Sequence, residues 1–345
     1  MRRSTITRVL CAAVVLLVLW GANPGAAAEA SPSETLRRHE LAVFEWHRLS
    51  QVNAKVADQR LGSLRADGFK TVYADVGEYL EVFDQPYSRT QQTRLGQLSR
   101  ELRRFVGRAS SFGLAVHAVA GGPTWTDAAH RFLGPKLLDL VTGYNQAAAA
   151  NERLQGVQLD IEPYVDPSFW NDVEVSLHSY LNTLQSIVAR HEQLRDPDPA
   201  KRLRLGFAIP FWFDGKAPDV PPVEFGAAGE APAAFHLIDM LAALPEAYVL
   251  VMAYRNFTAG DDGSIAHVVD ELDHARQAGA ACGIAVGQEF NRVTPEKLPC
   301  WWAGRAAFWR AAEELVGALA EENGGYAQFR GISVSDLTAY QAASA

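Results

Sequence analysis

Eight short apolar segments rich in β-branched residues alternate along the chain with segments of helical periodicity. Each apolar segment is a continuous run, which is typical of parallel strands buried on both faces. Eight strand-then-helix units predict an α/β fold, a closed (β/α)₈ TIM barrel. The predicted strands are 41–46, 70–76, 114–120, 156–162, 203–212, 248–255, 283–289 and 330–335.

Helical periodicity is clearest in three segments, 93–112, 176–188 and 308–319. Only 337–345 remain after the eighth strand, which is enough for about two helical turns. Residues 34–39 are expected to help close that side of the barrel. A doubly wound open sheet is the alternative fold, but it usually carries a glycine-rich loop after its first strand. Glu45-Trp46-His47-Arg48 occupies that place here.

The first thirty residues have the pattern of a secretory signal. Three arginines precede an apolar run over 9–20, and Ala28-Glu29-Ala30 offers a small-x-small cleavage site. We therefore predict a cleaved signal peptide over 1–30, with an uncleaved anchor as the alternative, and one barrel domain over 31–345. No second long apolar run follows, so the mature chain is expected to be secreted or periplasmic, without a membrane segment.

Charge and cysteine placement narrow the possible partners. The net charge is -8 and no Lys/Arg-rich run offsets it, so we predict no nucleic-acid partner.

Cys282 and Cys300 are the cysteines left after the signal. The strand assignment separates them by about 23 Å along one strand, so we expect both to be unpaired.

Enzymes of this fold build their sites at the carboxyl ends of the strands. The polar residues there are mostly carboxylates and aromatics. Neither His-Glu-x-x-His nor paired Cys-x-x-Cys occurs, so no metal or other cofactor is predicted. No Gly-x-Ser-x-Gly occurs either, which disfavours a serine hydrolase. Paired carboxylates with flat aromatic rings suit a carbohydrate partner. One carboxyl protonates the glycosidic oxygen and the other supports the oxocarbenium-like centre, while aromatic faces stack on sugar rings.

Asp160 and Glu162 are the strongest candidates. Their spacing of two places both side chains on one face of the fourth strand. Two adjacent carboxyls repel, which raises one pKa and suits a general acid. The alternative is a buried polar layer or a salt bridge to Arg255.

The fourth and sixth strand ends resemble a known family. Residues 154–164, which include Asp160-Ile161-Glu162-Pro163-Tyr164, resemble the fourth-strand signature of chitinase-like barrels. Met252-Ala253-Tyr254-Arg255 resembles their sixth-strand Met-x-Tyr-Asp motif. The resemblance implies Glu162 as acid/base, Asp160 as the group that orients an N-acetyl substituent, and Tyr254 as its assistant.

The chain departs from that signature in several places. The positions of its first two aspartates hold Gln155 and Gln158, the position of a Trp before the Glu holds Ile161, and the Asp after Tyr254 is Arg255.

Two further resemblances are present, one at the ends of the fourth and seventh strands and one over the whole mature chain. Glu162-Pro163 and Glu289 fall where the large clan of retaining glycosidases carries its acid/base and its nucleophile, which implies a nucleophilic Glu289. The alternative for Glu289 is a rim salt bridge to Arg255 or Arg292. The whole mature chain also resembles an uncharacterised group of exported bacterial barrels that share these strand ends.

Other residues are predicted to support the site. Arg255 is expected to bind an acidic sugar or to hold Glu162 or Glu289 in the charged form. Asp75 and Asp336 are predicted to support the residues that bind substrate. The proline-rich loop 214–235 is expected to be either a lid over the barrel mouth or a disordered segment. The candidate sugar platforms are Trp46, Trp125, Trp212 and, less specifically, Trp170 and Trp301-Trp302. His47 and His117 are expected to be packed rather than catalytic.

These residues predict a secreted glycoside hydrolase-like protein that acts on a poly- or oligosaccharide by carboxylate acid/base catalysis. The alternative is a carbohydrate-binding barrel without turnover.

Overall fold

The computed structural model describes residues 32–48 and 54–344, and it confirms the predicted (β/α)₈ barrel. Eight parallel strands follow chain order around the barrel, and β8 pairs with β1 to close it. The barrel strands are β1 (Glu40–Glu45), β2 (Thr71–Asp75), β3 (Ala115–Ala120), β4 (Gly156–Leu159), β5 (Arg204–Pro210), β6 (Ala247–Met252), β7 (Gly283–Glu289) and β8 (Phe329–Ser335).

Ten α-helices surround this barrel in the described residues. Two of the three segments of clear periodicity lie within longer helices, and the third, 93–112, extends one residue past the end of its helix. The helices are α1 (Glu34–Arg38), α2 (Ala54–Ala66), α3 (Gly77–Asp84), α4 (Arg89–Ser111), α5 (Leu133–Ala147), α6 (Val173–Leu194), α7 (Ala233–Leu241), α8 (Val269–Gln277), α9 (Gly304–Leu319) and α10 (Leu337–Ala342). The short α10 lies against β1 and β8, and α1 packs against α9 on the same side.

Three strands end two or three residues earlier than the sequence predicted. β4 ends at Leu159 and the chain turns into a 3₁₀ helix at Pro163–Val165. β5 ends at Pro210, and β6 ends at Met252. A proline has no backbone N–H to continue a ladder, which accounts for the ends near Pro163 and Pro210. The candidate site residues beyond these ends therefore sit in loops at the barrel mouth.

The core has two layers. The larger layer lies between the sheet and the helices, as expected for strands covered on both faces. The smaller layer fills the barrel interior with side chains such as Phe44, Tyr73 and Tyr248. His117 is buried in this interior, with Nδ1 3.4 Å from the hydroxyl of Tyr248, so the expectation of a packed histidine is confirmed there.

Cys282 and Cys300 are both buried and unpaired, as predicted. The loop 214–235 contains a two-stranded hairpin, Val223–Glu224 with Glu230–Ala231. The hairpin packs against α6, and Phe225 lies beside His178 and His236. The predicted signal peptide, 1–30, lies outside the described residues and stays a prediction. Among the helices described, none is long and apolar enough to cross a membrane.

Candidate active site

A cavity of about 240 Å³ opens at the carboxyl end of the barrel. All four predicted catalytic residues line it, together with the predicted platform Trp46. The lining consists of Phe44, Trp46, Asp160, Glu162, Ala208, Met252, Tyr254, Glu289 and Ser335. The structure thus brings together side chains from six strands, or the turns that follow them, that are far apart in sequence.

Two glycines allow this convergence. A Cβ on Gly121 would lie 1.9 Å from the backbone oxygen of Asp160, so only glycine lets the end of β3 approach the turn after β4. A Cβ on Gly287 would lie 3.2 Å from the Tyr254 ring, so glycine in β7 leaves room for that ring. The glycines therefore set the depth at which Asp160 and Tyr254 lie.

The three carboxylates of the cavity have no cationic partner in residues 32–48 and 54–344. Within the described residues, no Lys, Arg or His nitrogen lies within 4.0 Å of Asp160, Glu162 or Glu289. Burial, with the neighbouring charge of Glu162, raises the pKa of Asp160. Burial raises the pKa of Glu289 to about 7. The cavity therefore holds carboxyl groups that exchange protons near neutral pH, as acid/base chemistry requires.

Asn291 positions Glu289 and was missed at the sequence level. Its backbone nitrogen donates to Oε1 of Glu289 at 2.6 Å, and its side-chain Nδ2 donates to the same oxygen at 2.9 Å. Both bonds favour the charged carboxylate and oppose the effect of burial on its pKa. The only signal in the sequence is an Asn two residues after a strand-terminal Glu, a spacing that suits a local turn.

Two tyrosines contact the carboxylates. The hydroxyl of Tyr164 donates a hydrogen bond to Oε1 of Glu162. Burial and the charge of Glu162 raise the pKa of Tyr164, so it stays a donor. Burial and the charges of Glu289, Asp160 and Glu162 likewise raise the pKa of Tyr254. Tyr164 belongs to the recognised fourth-strand motif, but the sequence alone did not assign it a role in the site.

Three of the predicted sugar platforms differ in how close they lie to the cavity. Trp46 stacks on Phe44, with ring centroids 5.2 Å apart, and lines the cavity. Trp212 does not line it but contacts Tyr164 edge-on at 4.8 Å. Trp125 is a correction, because it lies buried in the outer core within the 3₁₀ helix Pro123–Thr126 and presents no face to the cavity.

A ridge of two indoles leads away from the cavity. The Trp170 ring is 46% exposed and lies 6.0 Å from that of Trp212. Its Nε1 donates to the backbone oxygen of Tyr164 at 2.9 Å, which fixes the ring. Trp212 and Trp170 together are called the aromatic ridge below.

Arg255 is a second correction. Its guanidinium bonds Asp262 through Nε at 2.9 Å and Nη2 at 2.5 Å, and it also lies over the ring of Phe211. It therefore holds the loop after β6 and reaches neither Glu162 nor Glu289. Arg292, the other candidate partner of Glu289, lies over Trp301 at 4.1 Å.

Asp75 and Asp336 accept hydrogen bonds at the starts of helices. Asp75 accepts one from the backbone nitrogen of Gly77 at 2.8 Å, where α3 begins. Asp336 is the N-cap of α10 and accepts one from the backbone nitrogen of Ala339 at 2.6 Å. Neither lines the cavity, so neither is placed to bind substrate there. The charge of Asp336 adds to the raised pKa of Glu289.

No group of three His, Cys, Asp or Glu side chains in the described part of the chain is placed to hold one metal ion. His47 lies at the barrel rim, with its Nδ1 2.8 Å from Oε1 of Glu45. The other carboxylate oxygen of Glu45 pairs with Nη1 of Arg60 at 3.0 Å.

Comparisons with known proteins agree with the architecture. No protein-family model matches the chain, and no curated protein matches it. Among solved structures, a GH18 chitinase from Pseudoalteromonas aurantia aligns with a TM-score of 0.51 and 10% identity, over 86% of this chain and 93% of that chain. The catalytic domain of a β-amylase from Paenibacillus polymyxa aligns with a TM-score of 0.48 and 11% identity, over 87% of this chain and 92% of that chain.

A GH18 chitinase from Cycas revoluta aligns with a TM-score of 0.40 and 14% identity, over 73% of this chain and 68% of that chain. At these identities the first alignment shows a shared fold: this chain is similar to a GH18 chitinase in having a (β/α)₈ barrel.

Proposed function

We propose that this chain is a glycoside hydrolase that cleaves an oligo- or polysaccharide by carboxylate acid/base catalysis. The observation that carries the proposal is the cavity at the carboxyl end of the barrel. Asp160, Glu162 and Glu289 meet there without a cation among the described residues, beside Tyr254 and Trp46. Uncompensated carboxylates are costly to bury, and clefts that contain them are typical of active sites.

Glu162 is assigned as the acid/base. The raised pKa of Asp160 leaves a protonated carboxyl in the cavity near neutral pH, beside Glu162. In the proposed step Glu162 gives a proton to the glycosidic oxygen, and the Tyr164 hydroxyl then donates to the carboxylate that remains. Protonation of the leaving group is the step that glycoside hydrolysis requires of its general acid.

Glu289 is assigned as the second carboxylate. Its two hydrogen bonds from Asn291 favour the ionised form that a nucleophile or general base needs. The separation of the two carboxyls decides between these roles. About 5–5.5 Å predicts a covalent intermediate and retention, whereas roughly 6.5–9.5 Å leaves room for a water and predicts inversion.

N-acetylated oligosaccharides are the first substrates to try. This choice rests on the fourth- and sixth-strand motifs and on the likeness of fold to a GH18 chitinase. Asp160 and Tyr254, the residues that those motifs assign to an N-acetyl group, both line the cavity. The cavity volume of about 240 Å³ is below the roughly 300–1,000 Å³ of drug-sized ligand sites, which suits one enclosed sugar ring.

A carbohydrate-binding barrel without turnover is the second candidate. It is favoured by the glutamines in place of two aspartates of the chitinase-like signature. Gln155 accepts a hydrogen bond from the backbone nitrogen of Val116 at 2.8 Å, and Gln158 donates to the backbone oxygen of Leu159 at 3.2 Å. Both glutamines thus bind the barrel backbone and contribute no charge to the cavity. Export of the mature chain, from the signal at 1–30, is part of either proposal.

Hydrolysis of an oligosaccharide panel tests the assignment. Purified wild type, Glu162→Gln and Glu289→Gln are incubated with chitooligosaccharides and with neutral glucans, and reducing ends are counted. We expect turnover by wild type and a loss of about 10²–10⁴-fold in kcat for Glu162→Gln, the usual contribution of a general acid. Glu296→Gln makes the same change on an exposed side chain outside the cavity and should keep full activity.

Equal turnover by wild type and Glu162→Gln would contradict the assignment of the acid/base. Binding of an oligosaccharide without any cleavage would instead establish the second candidate.

A further inference from the structure

A second and larger cleft, of about 1130 Å³, lies at the opposite, amino-terminal end of the barrel. The starts of β1, β5 and β8 form its floor, and the last turns of α5 and α6 form its walls. Eight of the chain's 32 Lys and Arg side chains line it, against three of its 40 Asp and Glu side chains. This basic cleft therefore carries an excess of positive charge on a chain whose net charge is -8.

The floor of the basic cleft gathers cations around one carboxylate. Arg204 pairs with Glu40 at 3.2 Å. Arg330 lies over the ring of Tyr248 at 4.3 Å, and Lys70 donates to the backbone oxygen of Arg38 at 2.9 Å. Neither Arg330 nor Lys70 has a carboxylate oxygen within 4.0 Å among the described residues. Two positive charges on the floor are thus uncompensated.

The wall adds two more cations without carboxylates. Arg153 donates through Nε to the oxygen of Ala148 at 3.3 Å, and Arg202 donates through Nε to the oxygen of Asp196 at 3.0 Å. A guanidinium has five N–H donors, so backbone bonds of this kind leave donors free for a ligand. Arginine forks match carboxylate and phosphate groups in two parallel bonds.

Two polar atoms in the same wall have no partner in the described structure. They are Oγ1 of Thr142 and Nδ1 of His191, whose side chain is 3% exposed. Nε2 of His191 donates to the backbone oxygen of Leu203 at 2.8 Å, which leaves Nδ1 as the unpartnered ring nitrogen in the described structure. A ligand hydroxyl both donates and accepts hydrogen bonds, so it suits Nδ1 and Oγ1 of Thr142 alike.

We propose that the basic cleft binds an acidic oligosaccharide, in which carboxylate or phosphate groups are carried on hydroxyl-bearing sugar units. The anionic groups pair with the side chains of Lys70, Arg202 and Arg330. The hydroxyls form hydrogen bonds with Thr142 and His191 in the wall. The volume exceeds the roughly 300–1,000 Å³ of single-ligand sites, so several sugar units fit.

Calorimetric titration of the full chain tests this site. Trigalacturonate is the main probe, and its neutral methyl ester tests the need for charge. Tripolyphosphate supplies charge without hydroxyls, and oligothymidylate represents nucleic acid. Glucuronate and glucose 6-phosphate compare the two anionic groups on single sugars. We expect trigalacturonate to bind more tightly than every other probe, and to bind more weakly as salt is raised.

Charge-removing variants locate the binding. Arg202→Gln and Arg330→Gln should each weaken the affinity for trigalacturonate about tenfold, the effect of losing one charge-assisted contact. Arg310→Gln removes an exposed charge on α9, outside the cleft, and should leave the affinity unchanged. Thermal unfolding checks that Arg330→Gln folds, and the wall residue Arg202 provides an independent variant. Hydrolysis at the opposite mouth should be the same in all three.

Absence of trigalacturonate binding would overturn the proposal, as would tighter binding of tripolyphosphate or oligothymidylate. An equal loss of affinity in Arg310→Gln would also overturn it, because attraction would then come from the whole surface. In those cases the cations of the cleft serve only the carbonyls at the ends of α5 and α6, which attract positive charge.

Discussion

Asn291 donates two hydrogen bonds to one oxygen of Glu289, from its backbone nitrogen at 2.6 Å and from Nδ2 at 2.9 Å. These bonds favour the charged carboxylate, whereas burial favours the neutral acid and raises the pKa of Glu289 to about 7. The two effects oppose each other on a single side chain. Glu289 is therefore held where a small change in its surroundings alters its protonation near neutral pH.

Asn291→Ala should move the pH dependence of the proposed hydrolysis. The substitution removes the Nδ2 donor and keeps the backbone donor, so it weakens support for the charged form of Glu289 and raises its pKa further. We expect the limb of the kcat/KM profile that reports Glu289 to shift upward by about one pH unit. Asn323→Ala, whose side chain bonds only the oxygen of Val316, is the control and should leave the profile unchanged.

Glu289→Gln should change the pH dependence of folding stability. Folding raises the pKa of Glu289 from its ordinary value of 4.5 to about 7, so the folded chain binds more protons between these values. The free energy of unfolding of wild type therefore falls as pH rises from 4.5 to 7, by about 3 kcal/mol from this group. Glutamine does not ionise and should abolish that fall.

Urea unfolding at pH 4.5 and pH 8 measures the effect. Relative to wild type, Glu289→Gln should be more stable at pH 8 than at pH 4.5 by up to about 3 kcal/mol. Glu296→Gln is the exposed control. A difference between wild type and Glu289→Gln that is the same at both pH values would show that Glu289 ionises normally in the folded chain.

Local pattern predicted the architecture and the main site because both depend on strand periodicity. Asp160 and Glu162 reach one cavity even though β4 ends at Leu159, since the turn after the strand keeps both side chains on the mouth side. To predict the position of Glu289 it was enough to predict where the seventh strand ends, and β7 does end at Glu289.

Side-chain partners across loops were not predictable in the same way. Arg255 pairs with Asp262, seven residues on, because the loop after β6 folds back, and nothing in the periodicity indicates that fold. Trp125 follows Gly121-Gly122-Pro123, which reads as a loop at the mouth, but the 3₁₀ helix there buries the indole in the outer core. Asn291 went unnoticed because its role depends on the geometry of one turn.

Arg255→Lys should destabilise the chain and leave substrate binding intact. Arg255 is 6% exposed and bonds Asp262 through two nitrogens, and lysine cannot reproduce that fork. We expect a loss of about 1–3 kcal/mol in the free energy of unfolding, toward the lower end because the Asp262 side chain is partly exposed. Urea unfolding gives the loss, and KM at a temperature well below unfolding should equal that of wild type.

Arg292→Lys is the matched control for that experiment, because Arg292 lies on the same rim over Trp301 and bonds no carboxylate in the described structure. A raised KM with normal stability in Arg255→Lys would instead show that Arg255 contacts substrate.

Trp170→Ala should weaken the binding of long oligosaccharides only. The aromatic ridge begins beside Tyr164, which bonds Glu162, and ends at the exposed ring of Trp170. A sugar chain that leaves the cavity along this ridge would meet Trp170 outside the cavity. Stacking on one aromatic ring is worth about 0.5–1.5 kcal/mol, or roughly two- to tenfold in KM. We expect that rise for hexasaccharides with kcat unchanged, and no effect on an aryl monoglycoside.

Trp302→Ala removes an indole of similar exposure, 51%, that does not line the cavity or join the ridge, and should change neither constant. A loss of kcat on the monoglycoside in Trp170→Ala would mean that the indole supports Tyr164 and Glu162 through its Nε1 bond, and the ridge would then be a structural support of the active site rather than a sugar platform.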